Sequence, residues 1–265
     1  MQRFESGVQH MRNIISINCV VNEPVRRQDG QHTVSIFDRR EVLVAEIRNL
    51  DGIAESTAAA ALYRLVFGYT EPEWGLSPRL IMALQRNSGT AIGAFGEDGT
   101  LIGFCYGFTA VEDGEIYHYS QAAVVAPGAQ GGGVGRLLKQ AQATAARATG
   151  ARSMRWTFDP YALRNAHFNF AVLGATGIRF MPDFYGEPGT DRVLVSWGLG
   201  GGAVTRTPVV ASVRTAASDT VAAPDPVDRG RLRRQLMDQF GAGSRLAGVA
   251  RAGDGVDYVF ENAPS

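Results

Sequence analysis

One stretch, Tyr117 to Gly150, narrows what this chain can fold into more than any other: YHYSQAAVVAPGAQGGGVGRLLKQAQATAARATG. An apolar, strand-like run from Ala122 to Val125 stops at Pro127. A glycine-rich loop, Ala129 to Gly135, follows. After it Leu137 or Leu138, Ala141, Ala145 and Ala148 recur every three or four residues, the period of a helix face. Gly150 suits a C-cap. A glycine loop opening onto a helix start presents several unpaired backbone N–H groups at one point. The helix dipole adds partial positive charge there, so the junction attracts phosphate. Gly131, Gly132, Gly133 and Gly135 carry no side chains, so a bulky pyrophosphate can approach the backbone.

Two phosphate-binding classes are excluded by what the loop lacks. It has no Lys-Ser/Thr at its end, so it is not the loop of a nucleoside triphosphatase. The spacing of Gly131-Gly132-Gly133-Val134-Gly135 does not fit GxGxxG, and no acidic residue ends a second strand about twenty residues on. A plain glycine-rich connection is the duller reading.

Gln130-Gly131-Gly132-Gly133-Val134-Gly135 resembles the Q/R-x-x-G-x-G/A pyrophosphate loop of the GNAT superfamily, the acyl-CoA-dependent N-acyltransferases. Val125-Ala126-Pro127 resembles the V-x-P that closes that family's fourth strand. Downstream, Trp156 to Pro160, Arg164 to Asn169, Leu173-Gly174-Ala175 and Phe184-Tyr185-Gly186 look like a less-studied bacterial branch of it. The resemblance covers about Glu41 to Gly198. It implies an α/β fold with a mixed, mostly antiparallel central sheet flanked by helices, to which this chain adds a small C-terminal helix-strand appendage. It implies acetyl-CoA or another acyl-CoA as cofactor. The cofactor would be held by Ala123, Val124 and Val125 on the strand, by Gln130, Gly131, Gly132, Gly133, Val134, Gly135 and Arg136 in the loop, and by Asn165. A backbone amide near Val124 or Val125 would hold the acyl carbonyl.

Composition fits a packed globular chain: 265 residues, 45% hydrophobic and 20% charged. Formal net charge is zero, and no basic run interleaves with aromatics, so nucleic acid is not an expected partner. Two cysteines, Cys19 and Cys105, make neither a disulfide framework nor a zinc site, and no metal is expected. A reducing cytoplasm is the easy fit. No apolar run reaches the roughly twenty residues of a membrane span, and no signal peptide is apparent.

The element pass divides the chain into an extension (1–40), an acyl-CoA-binding domain (41–198), a linker (199–226) and a C-terminal helix-strand segment packing on the domain (227–265). Ile14 to Val21 and Val42 to Ile47 read as strands, and Ile53 to Phe67 as a helix. A second helix covers Pro78 to Arg86, with Ser77 as N-cap. Strands follow at Thr90 to Phe95 and Leu101 to Phe108, joined by an Asp98-Gly99 hairpin. Asp113-Gly114 turns into the strand Glu115 to Val125. Then come the strand Met154 to Phe158, the helix Leu163 to Leu173, and strands at Gly177 to Met181 and Arg192 to Trp197. Gly198 to Pro226 is a surface linker with one strand around Pro208 to Val213. Asp228 caps a helix to Phe240, and Val256 to Phe260 is a last strand.

Acyl transfer from a thioester to an amine needs a deprotonated amine, donors for the oxyanion and an acid for the departing thiolate. The resemblance places a Glu base four residues before the Val of V-x-P, and here that is Gln121. It places a Tyr acid four residues before the Gly of Leu-Gly, and here that is Phe170. Neither has a usable proton. Substitutes are Tyr119, one strand repeat from Gln121 on the same face as Tyr117 and Glu115; Asp159, ending its strand; and Tyr185, which the resemblance puts near the acyl end. Tyr185, Asp159 and Tyr119 are therefore the catalytic candidates. Two of them have a blander role: turn residue for Asp159, loop packing for Tyr185. His118 points to the opposite face, and His167 reads as a packed core histidine. Phe104, Phe108 and Phe170 would leave room for more than acetyl. The expected activity is transfer of an acyl group, most simply acetyl, from CoA to a small-molecule amine or hydroxyl. The alternative is an acyl-CoA-binding protein without transfer, a sensor or an enzyme such as a decarboxylase. Oligomeric state is open, a homodimer among the options.

Overall fold

The structure is a computed structural model describing residues 46–200, 207–215, 225–252 and 255–263. The expected extension 1–40, the strand at Ile14 to Val21 and Cys19 lie outside the described residues. The chain divides into two compact units, one of residues up to Gly107 with Ala122–Ala145, the other of Phe108–Gln121 with the residues from Ala146 on.

The first unit holds β1 (Glu46–Asn49), α1 (Gly52–Phe67), α2 (Pro78–Arg86), β2 (Thr90–Phe95) and the first part of β3 (Leu101–Glu112). It also holds the last part of β4 (Glu115–Val125) and nearly all of α3 (Val134–Ala148). β1, β2 and β3 pair antiparallel in that order, with Ile47 opposite Ala94 and Ile92 opposite Cys105. Alternation along β2 and β3 sorts their side chains onto two faces. Ala91, Phe95, Phe104 and Tyr106 pack with Ala59, Leu62 and Ile81 of α1 and α2. Ile92, Ala94 and Cys105 pack with Val134, Leu138 and Ala141 of α3. A strand covered on both sides reads as a continuous apolar run, as TAIGAF does. Ser77 Oγ accepts the Leu80 N–H at 3.4 Å and Pro78 takes the first helical position, the start expected for α2.

The second unit holds the rest of β3 and β4, then β5 (Ser153–Phe158), α4 (Leu163–His167) and a π-helical turn (Phe168–Val172). β6 (Thr176–Met181), β7 (Arg192–Gly198), β8 (Val209–Arg214), α5 (Pro226–Gly241), β9 (Ser244–Ala252) and β10 (Gly255–Asn262) complete it. Its strands run in the order β4-β5-β7-β6-β9-β10-β8. Only the β4–β5 pair is parallel among the described pairs. This is the mixed, mostly antiparallel α/β architecture that the sequence led us to expect.

Several elements differ from their sequence reading. The Leu163 to Leu173 helix splits: α4 gives way to the π turn, where Leu173 N–H reaches back five residues to Phe168 O at 3.0 Å. β3 runs on to Glu112, because its outer half is only partly covered and polar residues serve there. The cap of α5 is Asp225, whose Oδ1 accepts the Val227 N–H at 2.8 Å, not Asp228. The sequence pattern predicts no element at β9: SRLAGVARA has small residues where a strand pattern needs bulk. Tertiary packing makes it a strand. Its Leu246 stands opposite Gly177 of β6, and a Cβ at Gly177 would lie 2.8 Å from the Leu246 Cβ, so only glycine admits that approach. Leu246, Tyr258 and Phe260 are fully buried, which ties β9 and β10 into the core of this unit. No described helix is long and apolar enough to cross a membrane.

Candidate active site

In the first unit, β4 ends at Val125 and Ala126 N–H donates to Ile102 O at 2.8 Å. A short 3-10 turn, Pro127–Ala129, carries the chain into the glycine loop. Gln130 folds back, and its Nε2 donates to Val125 O at 3.1 Å. Gly131 and Gly133 have φ of 84° and 83°, a region L residues avoid, and a Cβ at either would meet nothing within 4 Å. The loop therefore opens to solvent on the side where its Cβ atoms would stand. Gly133 O accepts from Arg136 and Leu137 N–H at 3.0 and 3.1 Å, which starts α3. Val134 is buried and anchors the loop to the α3 face of the core. The N–H groups of the first turn have no intrahelical acceptor, and exposed Arg136 adds a cation beside them. The open cradle, the N–H donors and the cation fit a pyrophosphate, so these residues suit the CoA that the resemblance implies. Ala123 is exposed, Val125 half-buried and Val124 buried.

In the second unit, pairing between β4 and β5 runs from Tyr117↔Ser153 to Tyr119↔Arg155, although β5 continues to Phe158. One strand repeat beyond the last pair, Gln121 and Thr157 line a cavity of about 410 Å³. Its floor follows the register. Thr157 stands opposite Leu194, and Leu194 opposite Arg179, so alternate residues of β5, β7 and β6 face it together. Tyr117 and Tyr119 line it from β4, Phe108 and Glu112 from β3, and Met181, Phe184 and Tyr185 close it. The Phe108 and Tyr119 rings are 5.5 Å apart, and those of Phe184 and Tyr185 4.8 Å.

Charge in this cavity is paired. Arg155, buried on its strand, donates to Glu112 Oε2 at 2.5 Å and to Glu115 Oε2 at 2.7 Å, and its guanidinium sits 4.3 Å from the Tyr117 ring centroid. Arg179 donates to Glu112 Oε1 at 3.1 Å. The Arg179 hydrogen bond, and then the charges of both arginines, hold the Glu112 carboxyl below its usual range. Burial pushes the Tyr119 hydroxyl above its ordinary value, partly offset by a hydrogen bond with Thr157. The cavity thus offers hydroxyl donors and one carboxylate, Glu112, already held by two arginines.

The loop bearing Tyr185 is held by residues that sequence reasoning missed. Asp191 is buried; its carboxylate accepts from Tyr161 Oη at 2.7 Å, from Asp183 N–H at 3.0 Å and from Arg233 at 3.1 Å. Arg233 of α5 also forks onto Asp183 at 2.7 and 3.0 Å, and Arg229 donates to Gly189 O. The only signal in the sequence was an Asp at each end of a loop. Nothing local pointed to α5 as their partner.

The cavity brings Tyr119 and Tyr185 together but not Asp159. The Asp159 carboxylate accepts the Tyr161 N–H at 2.8 Å and shapes the turn into α4. Asn165 is exposed on α4. His167 is exposed too, not packed as its apolar neighbours led us to expect, because α4 ends there and turns that side outward. Phe170 is core: its ring meets Phe158 edge-on at 5.6 Å and Tyr258 at 6.4 Å. Phe104 is buried in the first unit and only Phe108 of the three phenylalanines lines the cavity. Among the described residues no group of His, Cys, Asp and Glu could hold a metal ion.

Residues 55–170 match the acetyltransferase (GNAT) family. This span of the chain is a GNAT-superfamily domain. The matched span runs from α1 to the π turn and includes the whole glycine loop. Solved GNAT structures resemble this one. A GNAT-family protein of Desulfovibrio desulfuricans aligns at 18% identity over 59% of this chain and 100% of its own, with a TM-score of 0.47. The Salmonella typhimurium protein yncA, solved with its cofactor acetyl-CoA, aligns at 20% identity over 61% of this chain and 97% of its own, with a TM-score of 0.49. An aminoglycoside 6′-N-acetyltransferase complexed with coenzyme A aligns at 15% identity over 59% and 98%, with a TM-score of 0.48. No curated protein matches the chain significantly. Family membership supports acyl transfer as the general chemistry of this GNAT protein.

Proposed function

We propose that this GNAT protein transfers an acyl group, most simply acetyl, from CoA to a small molecule seated in the cavity beside Tyr119. The glycine loop at the start of α3 carries the reading: two left-handed glycines open a cradle of N–H donors next to Arg136. In this reading the residues from Gln130 to Arg136 hold the pyrophosphate. β4 carries Tyr117, Tyr119 and Gln121 along the cavity, and Ala123 to Val125 follow on the same strand. The backbone N–H near Val124 or Val125 would steady the acyl carbonyl oxygen as it gains charge. Bound acyl-CoA supplies the thioester, whose C–S bond breaks as the acceptor forms its new bond to the acyl carbon. In this reading Tyr119, kept protonated by burial, gives its proton to the leaving thiolate, and Tyr185 hydrogen-bonds the acceptor. Asp159 is a turn residue in this scheme, and Asn165 adds a polar contact for the cofactor.

Isothermal titration of the purified protein with CoA and acetyl-CoA tests the cofactor assignment. Binding is expected with a Kd on the order of micromolar, and Gly133→Glu, which puts a carboxylate into the cradle, is expected to abolish it. Absence of binding to the wild-type protein would overturn the reading. A second reading keeps CoA binding but drops transfer, and Gln121 and Phe170 favour it. Thiol release from acetyl-CoA across a panel of amines separates the two.

A further inference from the structure

The protonation chemistry of the cavity constrains its acceptor, if the cavity is the acceptor site proposed above. An amine attacks a thioester only as its free base. The groups that face the cavity include no histidine, and its one carboxylate, Glu112, is hydrogen-bonded to two arginines at 2.5 and 3.1 Å. Such a carboxylate is a poor proton acceptor. Gln121 accepts no proton, and Tyr119 stays protonated. The cavity therefore donates protons and hydrogen bonds without taking a proton from an incoming ammonium. An alkyl amine with a basicity like that of lysine is about one part in a thousand free base near neutral pH. The walls give the second constraint. Phe108 lies against Tyr119, Phe184 against Tyr185, and Leu194 forms the floor. Four aromatic rings around about 410 Å³ offer faces and edges to a planar ring with modest substituents.

We propose that the acceptor is an aromatic amine or aryl hydrazine, a nucleophile already neutral at physiological pH, whose ring lies among Phe108, Tyr119, Phe184 and Tyr185. The nitrogen lone pair forms the C–N bond as the C–S bond breaks. Tyr119 gives its proton to the departing sulfur, and the proton lost from nitrogen passes to water and restores the tyrosine. The products are the aryl amide or hydrazide and free CoA thiol.

Thiol release from acetyl-CoA tests this, with aniline, 4-methoxyaniline and phenylhydrazine set against benzylamine and butylamine, and with CoA binding measured on the same preparation. The aryl nucleophiles are expected to show kcat/KM about tenfold or more above the alkyl amines. Their rate should be flat from pH ~6.5 to ~9, since no group on amine or cavity need lose a proton. Phe184→Ala should raise KM for aniline while KM for acetyl-CoA stays put. If benzylamine is faster with a rate that climbs with pH, the aryl assignment is overturned and the acyltransferase reading stands; if CoA binds but no compound releases thiol, the aryl assignment is overturned and the reading without transfer is favoured. If CoA does not bind, both fall.

Discussion

At the scale of single residues, the two catalytic positions that the family resemblance singles out are occupied by groups that cannot exchange a proton, and the structure gives the reason for one of them. Phe170 is walled in by Phe158 and by Tyr258 of β10, so a hydroxyl there would be buried in apolar surroundings at a cost of about 1–3 kcal/mol. In the proposed reaction Tyr119 takes the donor's part. Tyr119→Phe should lower kcat by about 10²-fold with little change in KM for acetyl-CoA, read from steady-state kinetics. Because burial raises its hydroxyl above the ordinary tyrosine value of about 10, wild-type activity should show no alkaline limb from this group below that pH. A second residue prediction concerns the first unit. Lys139 is buried and its ammonium is pushed down to about 7, while burial drives the adjacent Cys105 thiol up to about 12. Between pH 7 and 9 the unfolded lysine binds a proton that the folded one does not, so stability rises with pH in that window. Above pH 9 the unfolded thiol ionises first and acts in the opposite direction. Chemical denaturation across pH should show this rise, and Lys139→Met should remove it.

At the scale of elements, the loop and α5 act together. Tyr185 itself is exposed, and its loop is placed by Asp183 and Asp191, which Arg233 bridges from α5. Arg233→Ala should loosen that loop. Steady-state kinetics should show kcat falling several-fold with KM for acetyl-CoA unchanged, because the glycine loop belongs to the other unit. Thermal unfolding should show a lower Tm, since the buried Asp191 carboxylate loses a charged partner. The glycine loop and the helix after it were readable from sequence because their physics is local: a run of glycines, then an apolar period of three to four. The pairing of Arg233 with Asp183 was not, because the two lie fifty residues apart and neither belongs to a pattern.

At the scale of the whole chain, the last described strands complete the second unit. Tyr258 is buried and donates to Pro160 O at 2.6 Å, and Phe260 meets Phe240 edge-on at 5.5 Å. Removing the residues from 226 on would expose Phe170 and strip Leu246, Tyr258 and Phe260 from the core, three side chains each worth about 1.5–3 kcal/mol of burial. The truncated chain is expected to lose cooperative thermal unfolding. A detachable module would instead leave the remainder with its own sharp transition. The sequence by itself determined the strand, glycine loop and helix from Ala122 to Gly150, the alternating face of Tyr117, Tyr119 and Gln121, and the family. Each of these rests on neighbours within a few residues, where period and turn chemistry act directly. Only the tertiary structure decided which arginines neutralise Glu112, that Asp159 shapes a turn while Tyr185 faces the cavity, and that SRLAGVARA becomes a strand. Those outcomes depend on registers between β5, β7, β6 and β9 and on contacts across long stretches of chain, which no local pattern encodes.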